Sequence, residues 1–142
     1  MFKNNFIFLM IIFFGQLIFA QEMDINNGFQ LLEKGDFEEA ETFFNNYLKT
    51  DPDNKTAKLC YGRAVGLSGE PAKANAMFNA LLKEYPGDFE IQINYNESFL
   101  WDKKYEEAKP LYKDLVAQYP ENFGAVLGYA NTLSNLKEYP QA

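Results

Sequence analysis

The feature that most constrains the fold is a period of 34 residues that runs through most of the chain. Alanine recurs at this spacing, at Ala40, Ala74, Ala108 and Ala142. An aromatic residue follows four positions after each of the first three alanines, and a proline follows twelve positions after each. These residues are Phe44, Phe78 and Tyr112, and then Pro52, Pro86 and Pro120. A fixed period of this length indicates stacked supersecondary units, each of which buries its apolar face against its neighbours.

Each unit has the pattern of two helices. In the first unit, Ile25, Phe29 and Leu32 share one helical face, and Gly35–Asp36 ends that segment. A second apolar face follows at Ala40, Phe44, Tyr47 and Leu48, and the proline at 52 ends it because proline supplies no amide hydrogen. The sequence therefore predicts an all-α solenoid of antiparallel helix-turn-helix units. We expect full repeats at 21–54, 55–88 and 89–122, and a partial fourth repeat at 123–142.

Glu38–Glu39 and Glu106–Glu107 could be taken for the carboxylate pair of an active site. Both pairs occupy the same place in the 34-residue period, however, at the predicted start of the second helix of a unit. Carboxylates in the first turn interact favourably with the positive end of the helix dipole. We therefore interpret both pairs as helix-start features.

In this register the chain resembles a tetratricopeptide repeat protein. The family pattern is Trp-x2-Leu-Gly-x2-Tyr, followed by Ala-x3-Phe and then Pro. The matching residues are Gly28, Leu31, Ala40, Phe44 and Pro52; Tyr61, Gly62, Val65, Ala74, Phe78 and Pro86; Tyr95, Phe99, Ala108, Tyr112 and Pro120; and Tyr129, Ala130, Leu133 and Ala142. The chain departs from the pattern in two ways: no repeat has the leading Trp, and Asn96 replaces the third glycine. We expect these departures to weaken single helix-pair contacts without changing the fold.

The resemblance also implies a binding surface, because the first helices of such repeats line a concave face that holds an extended peptide or a helix of a partner. Carried over to this sequence, the partner-binding residues are Ile25, Phe29, Leu59, Arg63, Ile93, Glu97, Trp101, Leu127 and Asn131. Arg63 and Trp101 are the strongest candidates, since Arg and Trp dominate binding hot spots. The alternative for the aliphatic members, and for Trp101, is that they belong to the core between repeats. The carboxylate clamp of chaperone-tail receptors in this family is not reproduced, because the fifth place of every repeat is apolar.

The side-chain inventory excludes most catalytic and metal chemistry. The chain has no histidine, which removes the most common general base and metal ligand, and it has a single cysteine, Cys60. We expect Cys60 to be a small buried apolar residue. A net charge of −7 with no basic stripe argues against nucleic acid as a partner. We therefore predict a non-enzymatic protein with no catalytic, metal or cofactor site.

The first 20 residues have the features of a secretory signal peptide. Lys3 precedes an apolar run from Phe6 to Phe14, and the segment ends at Ala20, a small residue before a cleavage site. The run is short for a membrane span, although an uncleaved anchor is the alternative. We expect an exported protein, in the periplasm or associated with the outer membrane, that begins at Gln21.

Two functional hypotheses follow. The first is an exported scaffold for protein–protein interaction that binds a protein or peptide ligand through its concave face. The second is that these residues form the N-terminal repeat segment of a larger membrane-associated protein, such as an outer-membrane β-barrel or a sensor kinase. Residues 123–142 would leave an apolar face uncovered, so we also expect a downstream segment, a partner or a second copy to cover them.

Overall fold

The computed structural model describes residues 23–138, so the predicted signal peptide and residues 139–142 lie outside the described residues. Within the described part, every regular element is an α-helix. The seven helices are α1 (Ile25–Lys34), α2 (Phe37–Thr50), α3 (Lys55–Leu67), α4 (Pro71–Glu84), α5 (Phe89–Trp101), α6 (Tyr105–Gln118) and α7 (Phe123–Asn135). The predicted all-α architecture is confirmed.

The odd-numbered helices all begin with an Asp or Asn whose side chain accepts a backbone hydrogen bond. Such a cap satisfies one of the amide groups that the first helical turn leaves without a partner. The caps are Asp24 to the Asn26 amide (3.0 Å), Asn54 to the Ala57 amide (2.9 Å), Asp88 to the Ile91 amide (3.2 Å) and Asn122 to the Ala125 amide (3.1 Å). These four residues therefore fix where α1, α3, α5 and α7 begin.

The turn at the end of each odd-numbered helix follows the same 34-residue period. One residue in each turn has left-handed backbone geometry: Gly35, Gly69, Lys103 and Lys137, with φ values of 84°, 115°, 57° and 59°. Glycine adopts this geometry without steric cost, whereas lysine does so less easily. The turn geometry is thus kept even where the glycine is not.

The even-numbered helices begin as the sequence predicted. Pro71 occupies the first turn of α4, where a missing amide hydrogen costs little. Glu38–Glu39 and Glu106–Glu107 lie in the first turns of α2 and α6, which confirms their interpretation as helix-start residues. Pro110 lies within α6, and the helix continues through it to Gln118.

The helices form two layers. Each helix packs against the next one along the chain, and α1 also contacts α3, α3 contacts α5, and α5 contacts α7. In the described residues, α2, α4 and α6 make no corresponding contacts with one another. The odd-numbered helices therefore form a continuous inner row, and the even-numbered helices form a more widely spaced outer row.

The core is divided into three clusters that follow one another along the solenoid. Each cluster is built around one aromatic ring of the outer row: Phe44, Phe78 or Tyr112, all with no exposed surface. The rings of Phe44 and Phe78 lie against Gly28 and Gly62, where a Cβ atom would come within 2.5 Å and 2.6 Å of ring carbons. The glycines at these positions therefore allow the paired helices to approach closely.

Candidate interaction surface

The inner row places Arg63 on α3 and Glu97 on α5, one period apart on neighbouring helices. Both side chains are partly buried. Burial raises the pKa of the Glu97 carboxyl above its ordinary value, while the positive charge of Arg63 acts in the opposite direction. The two charges are thus close enough to interact, although no ion pair joins them in the described residues.

A third polar group, Asn94, lies one turn before Glu97 on α5. Only 4% of Asn94 is exposed, and its side-chain amide donates a 2.7 Å hydrogen bond to the carbonyl of Glu90. Its Oδ1 atom and the Nε atom of Arg63 are both buried, and neither has a hydrogen-bond partner in the part of the chain that the structure describes. We refer to Arg63, Asn94 and Glu97 as the inner polar site.

The hydroxyl of Tyr112 borders this region from the outer row. It is buried without a partner in the described residues, and its pKa is raised first by burial and second by the negative charge of Glu97. Polar groups that are buried without a partner cost free energy, typically about 1–3 kcal/mol each. Arg63 Nε, Asn94 Oδ1 and Tyr112 Oη are thus buried polar atoms that keep unused hydrogen-bonding capacity within the described residues.

The other predicted binding residues divide into three groups. Leu59 does not belong to the surface: it is 1% exposed and packs in the core with Val65 and Ile91, so its assignment as a partner-binding residue is corrected. Ile25, Phe29 and Ile93 are partly buried and pack beside the core clusters. Leu127, which is 45% exposed, and Asn131 are accessible on α7.

Trp101 lies partly in the core between repeats and partly on the surface. Its ring lies against Gly66 of α3, where a Cβ atom would come within 2.5 Å of Cε3, and its centroid is 6.2 Å from that of Phe78. These contacts give Trp101 a packing role between α3 and α5, which is the alternative stated for it above. The ring is only partly buried, so one side of it also contributes to the surface.

An apolar face on α7 is exposed, as the sequence predicted. Phe123 is 78% exposed, and Val126 and Leu127 are 42% and 45% exposed. What covers this face remains a prediction. Cys60, by contrast, is buried as expected, and burial raises the pKa of its thiol to about 11.

Within residues 23–138, no three His, Cys, Asp or Glu side chains come close enough together to hold a metal ion. None of the helices in this range is long and apolar enough to cross a membrane. The inner polar site can donate hydrogen bonds through Arg63 and accept them through Glu97, which suits recognition of a polar ligand.

The comparisons with known proteins agree with this architecture. The family model of the tetratricopeptide repeat matches residues 31–93 and 100–142. This chain belongs to the tetratricopeptide repeat family. No curated protein sequence matches it.

Solved structures of tetratricopeptide repeat proteins share the fold. One from Parabacteroides merdae superposes with a TM-score of 0.71 at 18% identity, over 80% of this chain and 44% of the other. A thermophilic protein of the same family from Thermus thermophilus gives 0.70 at 20% identity, over 80% and 64% of the two chains. The first repeat domain of Spaghetti (RPAP3), bound to the HSP90 peptide SRMEEVD, gives 0.64 at 20% identity, over 79% and 89%. The present chain thus spans less than half the length of the Parabacteroides merdae protein.

The sequence alone did not identify two features of this tetratricopeptide repeat domain. Asn94 was missed because its place in the period carries Asn26, Cys60 and Gly128 in the other repeats, which gives no consistent chemical signal. The second feature is the packing around the Asn96 side chain, which the sequence pattern did not predict. The replacement of glycine by asparagine showed only that the position is unusual.

Proposed function

We propose that this protein is a non-catalytic scaffold that binds a segment of a partner protein along the inner face of α3 and α5. The observation that carries the proposal is the inner polar site, where Arg63 Nε and Asn94 Oδ1 are buried beside the carboxylate of Glu97 without a partner among the described residues. Tetratricopeptide repeat domains typically mediate protein–protein interaction, and a relative of the same fold was solved with a bound peptide.

An extended peptide segment matches the chemistry of this site. Its backbone offers carbonyl groups that can accept hydrogen bonds from the Arg63 guanidinium and N–H groups that can donate to the Glu97 carboxylate. Hydrogen bonds to charged groups are stronger than those between neutral groups. The partly exposed side of Trp101 supplies an adjacent apolar contact of the kind found at binding hot spots.

The proposal includes export from the cytoplasm, to the periplasm or the outer membrane. It is supported by the basic, apolar and small-residue regions of the first 20 residues. Intact mass spectrometry of the protein expressed in a bacterial host with its leader tests this point. We expect a chain that begins at Gln21, whereas recovery of the full-length chain in membranes would show an uncleaved anchor.

Site-specific photocrosslinking in the native host tests the binding face. A photoreactive amino acid is placed at exposed positions of the inner row, Glu33 and Asn131, and at matched exposed asparagines of the outer row, Asn45 and Asn79. We expect the inner positions to crosslink a discrete partner that the outer positions do not crosslink. Crosslinks that form only from the outer row would refute the proposal.

A further inference from the structure

Asn96 changes the packing of the third helix pair. In the first two pairs the equivalent residues are Gly28 and Gly62, and a Cβ atom there would come within 2.6 Å of the ring of Phe44 or Phe78. Asn96 has a Cβ and an amide in that place, so the ring of Tyr112 cannot take the same position against α5. Tyr112 makes a close approach to Gly128 of α7, where a Cβ atom would lie 2.1 Å from Cε1.

A cleft of about 200 Å³ opens beside Asn96 on the outer side of the solenoid. Its walls come from the outer helices α4 and α6, and α5 forms its floor. The apolar lining includes Leu82, Leu111 and the ring of Tyr95, and the polar lining includes Asn96, Gln118 and Asp114. Asn96 is 4% exposed, so its amide group is held within the wall of the cleft.

The lining favours a positively charged group. Among the described residues, Asp114 is the only charged one that lines the cleft, and it is exposed. Neither Lys nor Arg lines the cleft within residues 23–138, and the whole chain carries a net charge of −7. The uncompensated charge within the cleft is therefore negative.

The size of the cleft suits one side chain. Sites for small molecules and cofactors typically have volumes of about 300–1,000 Å³, and this cleft is smaller than that range. Arginine matches the lining better than lysine does, because its guanidinium is planar, carries five N–H donors and stacks on aromatic rings. Its donors are chemically matched to carboxylate and amide oxygens, and its methylene groups are matched to the leucines of the lining.

We propose that this cleft binds an arginine side chain of a partner protein, with Asp114 as the counter-ion and Asn96 as a hydrogen-bond acceptor. The site lies on the outer face and goes beyond the inner-face function proposed above. The two surfaces share no residue, so either can fail experimentally without affecting the other.

A nuclear magnetic resonance titration of the mature chain with N-acetyl-L-argininamide tests the proposal. We expect saturable shifts at the amides of Tyr95, Asn96 and Asp114. N-acetyl-L-citrullinamide, which has the same shape without the charge, and N-acetyl-L-lysinamide should both bind more weakly. Asp114→Asn should raise the dissociation constant about three- to fivefold, as expected for an exposed ion pair.

Asp53→Asn is the matched control, because Asp53 is an exposed aspartate in the turn before α3 and its replacement makes the same change in net charge. The control variant should bind the argininamide as the unmodified chain does. If both variants bound the argininamide equally weakly, the attraction would come from the overall negative charge of the protein and not from the cleft. That result would overturn the proposal. Equal binding of the citrulline or lysine compound, or the absence of shifts in the cleft, would also overturn it.

Discussion

Replacing Gly128 by alanine probes the contact through which the third repeat packs on the fourth. A Cβ atom at Gly128 would lie 2.1 Å from Cε1, 2.4 Å from Cζ and 2.8 Å from Oη of Tyr112. Tyr112 has no exposed surface and packs in the core with Leu115 and Ala125, so movement of its ring must displace buried neighbours. Overpacking of this kind costs about 1–3 kcal/mol, and the severity of the clash places Gly128→Ala near the upper end. The higher helix propensity of alanine relative to glycine offsets up to about 1 kcal/mol of this loss. We therefore expect a net loss of roughly 2 kcal/mol in the free energy of unfolding.

Gly124→Ala is the matched control on the same helix. A Cβ atom there would meet Cδ1 of Ile93 at 2.8 Å and Oδ1 of Asn122 at 3.4 Å, and the end of the isoleucine side chain can rotate away. Urea unfolding followed by circular dichroism should show Gly128→Ala well below the unmodified protein and Gly124→Ala at or above it. Equal stability of the two variants would refute the placement of Tyr112 against Gly128.

Three further predictions concern single side chains. Trp101→Ala should lower the free energy of unfolding by about 2–3 kcal/mol, less than a fully buried Trp would, because the ring is only partly buried; a loss below about 0.5 kcal/mol in urea unfolding would contradict its packing role. Cys60 should react very slowly with iodoacetamide at pH 8 in the folded protein and rapidly in urea, because its thiol is buried with a pKa raised to about 11; fast reaction of the folded protein, detected by mass, would contradict its burial. Glu97→Gln should stabilise the protein at pH 7. The folded-state pKa of Glu97 is raised above 4.5, so its ionised form opposes folding, and the gain should shrink as pH falls through that raised pKa towards 4.5 and vanish below it. A gain in urea unfolding that is independent of pH would contradict this explanation.

Much of the fold could be predicted from the sequence because the period repeats the same physical requirements. Pro52 and its equivalents end helices, small residues admit the rings of Phe44 and Phe78, and carboxylates such as Glu106 favour a helix start. Each of these effects acts within one helix pair, so a single repeat is enough to identify it. The agreement of successive repeats then defines the stacking.

The surface was harder to predict, because positions on one helix that line the inner face lie next to positions that face the core. Leu59 shares its place in the period with Leu127, yet one is buried by the following repeat and the other is exposed on the last described helix. The packing of neighbouring repeats decides whether such a residue is buried or exposed. Its position on a single helix does not decide this.

The cleft beside Asn96 could not be predicted for a related reason. The cleft lies between α5 and two outer helices that belong to different repeats, with Leu82 on α4 and Leu111 on α6. Spacing within a repeat carries no information about such an arrangement across repeats. It becomes visible only in three dimensions.

The central claim, that the inner polar site binds a partner protein, is tested most directly by affinity measurements on a matched pair of variants. Arg63→Ala is compared with Lys49→Ala, which removes an exposed positive charge from the outer helix α2. The ligand is the partner captured by photocrosslinking, and circular dichroism confirms that both variants are folded. We predict that Arg63→Ala weakens binding about tenfold or more, the effect of a hot-spot residue, and that Lys49→Ala binds as the unmodified chain does. Unchanged binding by Arg63→Ala together with a loss in Lys49→Ala would contradict the claim.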